Sequence, residues 1–242
     1  MSRSNPQEHL SNPAVRWFEW NGEKGVVRYY DKEQKKNIDV PLPFSFILLD
    51  RLGCVGGWHE LSKSAIYSNE VKDTRQDVLV VKAFKGGTIA EGLYNDIKAV
   101  VKAAGGAFTA NCYIAFKDGD EMKIGSMKFK GAGLGGWMDF EKAHRAELYD
   151  GAITIHDFTE GKKGRVVFRV PKLKVSGITR ESNALATELD KTVQRFLSVY
   201  LKRNTREQAV VPDDAPPVSD EDIPWQDNPE AVAAITDDDI PF

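Results

Sequence analysis

The chain predicts a mainly β body with helices, a β-rich α+β domain built as a closed or half-closed antiparallel barrel, followed by a disordered acidic tail. Three observations carry that expectation. Runs of aromatic and β-branched residues come in pairs around short glycine-containing turns, which is the signature of hairpins. Helical periodicity appears only in isolated stretches, so alternating βαβ units are absent and a parallel α/β sheet is disfavoured. Finally, Lys and Arg stop at Arg206, while 11 of the 36 acidic residues lie in 207–242.

Taken in order, residues 1–13, with Asn5, Pro6, Asn12 and Pro13 among polar neighbours, read as a flexible arm. The segments 17–20 and 26–30 flank the turn Asn21-Gly22-Glu23-Lys24-Gly25 as a hairpin, and the lysine-rich 31–37 leads to a third strand at 38–41. The apolar run 44–54 is a buried strand, followed by strands at 66–71 and 78–84. Ile89, Leu93, Ile97, Val100 and Val101 recur at helical spacing and predict a helix over 89–104, capped by Thr88 and stopped by Gly105-Gly106. Strands at 107–117 and 121–130 flank Asp118-Gly119-Asp120. A glycine-rich loop at 131–136, a short helix over 137–149 and a hairpin of 152–158 with 165–175 come next. A helix over 180–204 closes the body, its stripe of Leu185, Leu189, Val193, Phe196, Leu197, Tyr200 and Leu201 packing on the sheet. The domain boundaries that follow are 1–13, 14–206 and 207–242.

With 41% hydrophobic and 29% charged residues the chain can bury a core. The net charge of −3 conceals a division: residues 1–206 carry 33 basic against 25 acidic residues, a net of +8. A basic surface attracts a polyanion through counterion release. From 207 onward, proline, acids and small residues cannot bury enough surface to fold. Cys54 and Cys112 are too few for a structural zinc site, the apolar runs are too short to span a bilayer, and the N-terminus carries no signal-peptide pattern. Together these point to a reduced, cytoplasmic setting.

The most specific motif is Asp237, Asp238, Asp239, Ile240, Pro241 and Phe242. A partner can neutralise the acids with Lys or Arg, admit the ring to an apolar pocket and clasp the terminal carboxylate beside it. Asp220, Glu221, Asp222, Ile223, Pro224 and Trp225 repeat the pattern acid-acid-acid-Ile-Pro-aromatic without a free end. This ending resembles the acidic tip of bacterial and bacteriophage single-stranded DNA-binding proteins, a resemblance confined to roughly the last tenth of the chain. It implies an elaborated OB-like barrel that coats and protects single strands, and a tail that docks replication, recombination and repair enzymes. The body departs from the ordinary bacterial version, so a bacteriophage type acting in the infected host's cytoplasm is expected.

Non-specific binding of single strands needs cations along the backbone and flat rings for unpaired bases. Candidates are Arg28, Tyr30, Lys35, Lys36, Trp58, Lys128, Lys130, Trp137, Arg165 and Arg169, with Trp58 and Trp137 placed in glycine-flanked loops. Trp17, Phe46, Phe84 and Phe168 are assigned to the core. The acidic tail is expected to compete with DNA for the basic groove. One alternative is a replication adaptor whose basic body holds duplex DNA or RNA. Another is an NAD-binding oxidoreductase using Gly131-Ala132-Gly133-Leu134-Gly135-Gly136, with Asp157 on the ribose. Against the latter, Lys123, Lys128 and Lys130 make the preceding strand too polar for a strand buried on both faces. His9, His59, His144 and His156 lack ligand spacing, and Asp118, Asp120 and Glu121 form an ordinary hairpin turn. No catalysis, cofactor or metal is expected.

Overall fold

Alternation of large apolar with polar side chains lays down eleven strands, interrupted by three helices, in a computed structural model that describes residues 10–204. The first hairpin joins β1 (Arg16–Asn21) to β2 (Val26–Asp31), and β3 (Lys36–Val40) adds a third strand. Next come β4 (Phe44–His59), β5 (Ser64–Ser68), β6 (Leu79–Ala83) and β7 (Gly87–Gly92), then α1 (Tyr94–Ala103). Two long strands, β8 (Gly106–Asp118) and β9 (Glu121–Lys130), precede α2 (Gly131–Ala143). The hairpin of β10 (Ala152–Lys163) and β11 (Val166–Ser176) leads into α3 (Arg180–Asn204).

The strands form one open sheet in the order β3-β2-β1-β9-β8-β4-β5-β6-β7. It branches at β4, whose first residues also pair with β10 while its last residues pair with β5. The sheet is mixed rather than wholly antiparallel, because β1 runs parallel to β9. Local sequence marks hairpins but not this pairing of strands a hundred residues apart. At one end β11 returns to the first hairpin: the Arg169 N–H donates to the Gly22 carbonyl (2.7 Å) and the Trp20 indole N–H donates to the Arg169 carbonyl (2.8 Å).

Each face of the sheet has its own core. On the inner face Phe18, Phe46, Phe116, Phe129 and Ile153 pack with α1 and α2. On the outer face Ile47, Leu52, Tyr113 and Ile124 meet Ala186, Val193, Phe196 and Leu197 of α3. The closing helix therefore has the predicted bounds and packs on the sheet, though Leu185 is 49% exposed and lies off the stripe.

Several expectations are corrected. The segment 87–92 is strand, not helix, because Gly87, at φ +77°, closes a tight hairpin between β6 and β7. Helix α1 thus starts at Tyr94, with Leu93 rather than Thr88 at its cap. The glycine-rich 131–136 is the beginning of α2, not a loop. A Cβ on Gly133 would lie 2.7 Å from the Trp20 ring, and one on Gly136 would lie 2.7 Å from Val170. These glycines therefore let the helix backbone press against β1 and β11. Since β10 pairs antiparallel with β4, no strand-helix-strand unit of the dinucleotide-binding kind forms around them.

Phe84 is 68% exposed rather than core, Trp17 and Phe168 are half-buried, and Phe46 is buried as expected. Within the expected arm, Leu10 packs on the outer core and the Asn12 amide donates to the Tyr113 hydroxyl (3.2 Å), so 10–13 is tied to the body. Cys54 and Cys112 are buried and unbridged. No helix among the described residues is long and apolar enough to cross a membrane. His9 and the tail lie outside the described residues.

Candidate nucleic-acid interface

The outer face of β2, β1 and β9 gathers several basic and aromatic side chains. Its geometry begins in the first turn, where the Asn21 side-chain oxygen accepts the N–H groups of Glu23 and Lys24 (both 3.0 Å) and Gly25 takes φ +72°. That turn fixes the register in which Arg28 stands opposite Glu19, and the parallel pairing of β1 with β9 sets Glu19 beside Lys128. Side chains alternate along a strand, so Arg28, Tyr30, Trp17, Glu19, Lys128 and Lys130 share this face. Phe18, Trp20, Val27 and Phe129 fill the inner core.

Glu19 organises the charges. Its carboxylate accepts Arg28 (2.5 Å to Nη2, 2.6 Å to Nε) and pairs with Lys130 Nζ (2.9 Å). Burial pushes this carboxyl up, but Lys130 and Arg28 together outweigh burial and hold it at about 2. Lys128 is exposed and forms no ion pair among the described residues. Lys32 Nζ lies 5.3 Å from the centre of the half-buried Trp17 ring. The face thus carries two partly exposed rings, the exposed Lys128, and two cations held by Glu19, of which Lys130 is half-buried and Arg28 buried.

A depressed carboxyl stabilises the fold above its unfolded value and loses that contribution as pH falls. For Glu19 the window runs from about 4.5 down to about 2. Glu19→Gln is therefore expected to lower unfolding free energy at pH 7 by about 2 kcal/mol and to flatten the decline between those pH values, as denaturant titrations at several pH values would show. The same substitution releases Arg28 and Lys130, so affinity for oligo-dT should rise; an unchanged pH profile would remove Glu19 from this role.

Next to Lys128 a buried polar network ties the end of α3 to the sheet. Glu70 accepts the Asn111 amide (2.5 Å) and the Tyr113 hydroxyl (3.0 Å), while Ser126 donates to Asn111 (2.6 Å). The Glu70 N–H donates to the Tyr200 hydroxyl (2.9 Å). Burial pushes the Glu70 carboxyl up, and Lys128 pulls the other way. The helix that leads to the acidic segment therefore ends beside the basic face.

Of the ten predicted residues, Arg28, Tyr30, Lys128 and Lys130 come together, and Trp58 occupies the same face at the far end of β4. Trp58 is on a strand rather than in a loop, because Gly56 and Gly57 pair with both β8 and β5. Lys35, at φ +50°, is exposed in the β2–β3 turn beyond Tyr30, and Lys36 is exposed as the first residue of β3. Arg165 is exposed in the β10–β11 turn. Arg169 is spent on structure: it bonds Glu160 (2.8 and 3.1 Å) and the Glu23 carbonyl, and lies 5.3 Å from the Phe158 ring centre. Trp137 is wholly buried, stacked on Phe129 at 4.7 Å and 10° between ring planes, and offers nothing to a base.

Trp17 and Lys32 were not expected here. The signal was present, since Trp17 and Glu19 alternate with the core residues Phe18 and Trp20. Both tail motifs lie outside the described residues, which contain no His, Cys, Asp or Glu group able to hold a metal ion. No protein-family model matches the chain, and no curated protein or solved structure matches it either.

Proposed function

We propose that the chain is a non-sequence-specific single-stranded DNA-binding protein of bacteriophage type. It coats and protects unpaired strands in the cytoplasm of the infected host and recruits replication, recombination and repair enzymes through its acidic tail. The observation that carries this is the placement of Trp17 and Tyr30 on one sheet face with Arg28, Lys128 and Lys130. Rings for stacking and cations for phosphates, without a base-edge reader, suit sequence-independent binding of single strands. The return of β11 to the first hairpin supports an OB-like half-barrel. Binding the unpaired form alone shifts the duplex equilibrium by mass action, so no nucleotide hydrolysis is required.

The tail motif supplies the second half of the proposal. Residues 207–242 follow α3 in sequence, and the Tyr200 hydroxyl anchors that helix at Glu70, near Lys128. The tail competes with DNA for the basic face. Deleting 207–242 is expected to tighten oligo-dT binding and steepen its salt dependence; a truncated protein that bound no better than the intact one would rule out competition. Affinity for oligo-dT against an equal length of duplex tests the function itself. Clear preference for the single strand supports the proposal, whereas equal or tighter duplex binding would favour an adaptor that holds duplex DNA.

A further inference from the structure

The outer face of the sheet continues past Lys130 onto β4, β5 and β6, which carry a second group of rings, one exposed and two half-buried. Trp58 pairs with Ala65, and the Phe84 N–H donates to the Ala65 carbonyl (2.9 Å). These three residues therefore form one row, with small Ala65 between two rings. One row back, Tyr67 stands between Gly56 and Lys82. The inward positions of these strands, Val55, Ile66, Val81 and Ala83, are buried. Trp58 and Tyr67 are half-buried, and the Trp58 indole N–H is bonded to nothing among the described residues, so the ring loses no hydrogen bond if it turns toward a base.

The two groups are joined. Lys130 pairs with Thr109, and Thr109 with Cys54, two residues before Gly56. Gly56 and its partner Ala107 raise no side-chain wall between them. Counting strands at about 4.8 Å each, Tyr30 on β2 and Phe84 at the end of β6 are roughly 29 Å apart across the sheet.

We infer that a single strand of DNA runs diagonally across the outer face, from Trp17 and Tyr30 past Lys128 and Lys130, over Gly56, to bases stacked at Tyr67, Trp58 and Phe84. This rests on the single-strand-binding function proposed above and assigns that function its second stacking surface. A single strand is favoured over a protein because the strands that carry these rings adjoin the cationic strands in one sheet, with only Gly56 and Ala107 between Tyr67 and the Lys130 side, although Thr109 and Cys54 on that line are themselves buried. Exposed lysines, Lys63 and Lys85, flank that end.

The test uses full-length Trp58→Ala, Phe84→Ala and Gly56→Leu, each checked for an intact fold by circular dichroism. A Cβ at Gly56 meets only Thr109 Oγ1 at 3.5 Å, an ordinary contact, so the leucine obstructs the path without disrupting the strand. Each ring substitution should weaken a long oligo-dT about fivefold or more, the size of one lost stack. Gly56→Leu should bring the affinity of a long oligo-dT close to that of one about four nucleotides long. If wild-type protein binds oligo-dT and all three folded variants match it, this path is wrong while the function stands. If wild-type protein ignores oligo-dT, both fall. Should the variants instead lose only a peptide of residues 231–242, the face belongs to a protein segment and the inference is overturned.

Discussion

Replacing Trp137 with alanine is expected to destabilise the fold by about 3–5 kcal/mol, the usual cost of emptying a large aromatic site in a packed core. The ring is fully buried, lies flat on Phe129 and tilts against Phe140 at 5.9 Å. Gly133 and Gly136 hold its helix so close to Trp20 and Val170 that the backbone has no room to settle into the void. Denaturant unfolding of the variant should show the loss. Oligo-dT affinity at a temperature where the variant is folded should stay near the wild-type value, because the residue is on the inner side of the sheet. A variant of normal stability that failed to bind oligo-dT would place Trp137 at the interface instead.

Lys128→Ala combined with Lys130→Ala should weaken oligo-dT binding and make it less sensitive to salt. Each lost phosphate contact on a single strand removes about 0.7 from the slope of log affinity against log salt, so the pair should remove about 1.4. At around 0.1 M salt that corresponds to a loss of about 25-fold. Lys98→Ala with Lys102→Ala, on a helix whose buried residues join the inner core, removes the same charge and should change the slope far less. Equal effects from the two pairs would mean that only net charge matters and that no particular face is used.

The strands were legible because their alternation is strong: Phe18 and Trp20 against Trp17 and Glu19, or Met127 and Phe129 against Lys128 and Lys130. The closing helix was legible for the same reason at a period of 3.6. Long-range pairing was not. Nothing local in 16–21 indicates that it lies parallel to β9, and that pairing is what brings Lys128 beside Glu19. The glycines of 131–136 mislead because glycine serves two purposes: it loosens loops, and it permits close approach. Here the second applies, with Trp20 against Gly133. Phe84 misleads in the opposite sense, since an aromatic following Val80, Val81 and Ala83 resembles a continuing core strand, yet the chain turns at Gly86-Gly87 and leaves the ring outside.

For the site, composition identified the kind of surface and register selected its members. Arg28 and Lys130 are readable as outward cations, but their common partner Glu19 is visible only once three strands are aligned. Arg169 shows the reverse: outward on its own strand, it is consumed by Glu160 and the first hairpin.

Photocrosslinking of intact protein to oligo-dT carrying a photoreactive thymine, with the attachment sites mapped by mass spectrometry, addresses the central claim most directly. Attachments at Trp17, Tyr30, Trp58 and Phe84, suppressed by added salt and absent from Trp137, are the expected pattern. Attachments confined to the exposed side of α3 or to the α1 surface, or none at all under conditions where the oligonucleotide binds, would contradict it.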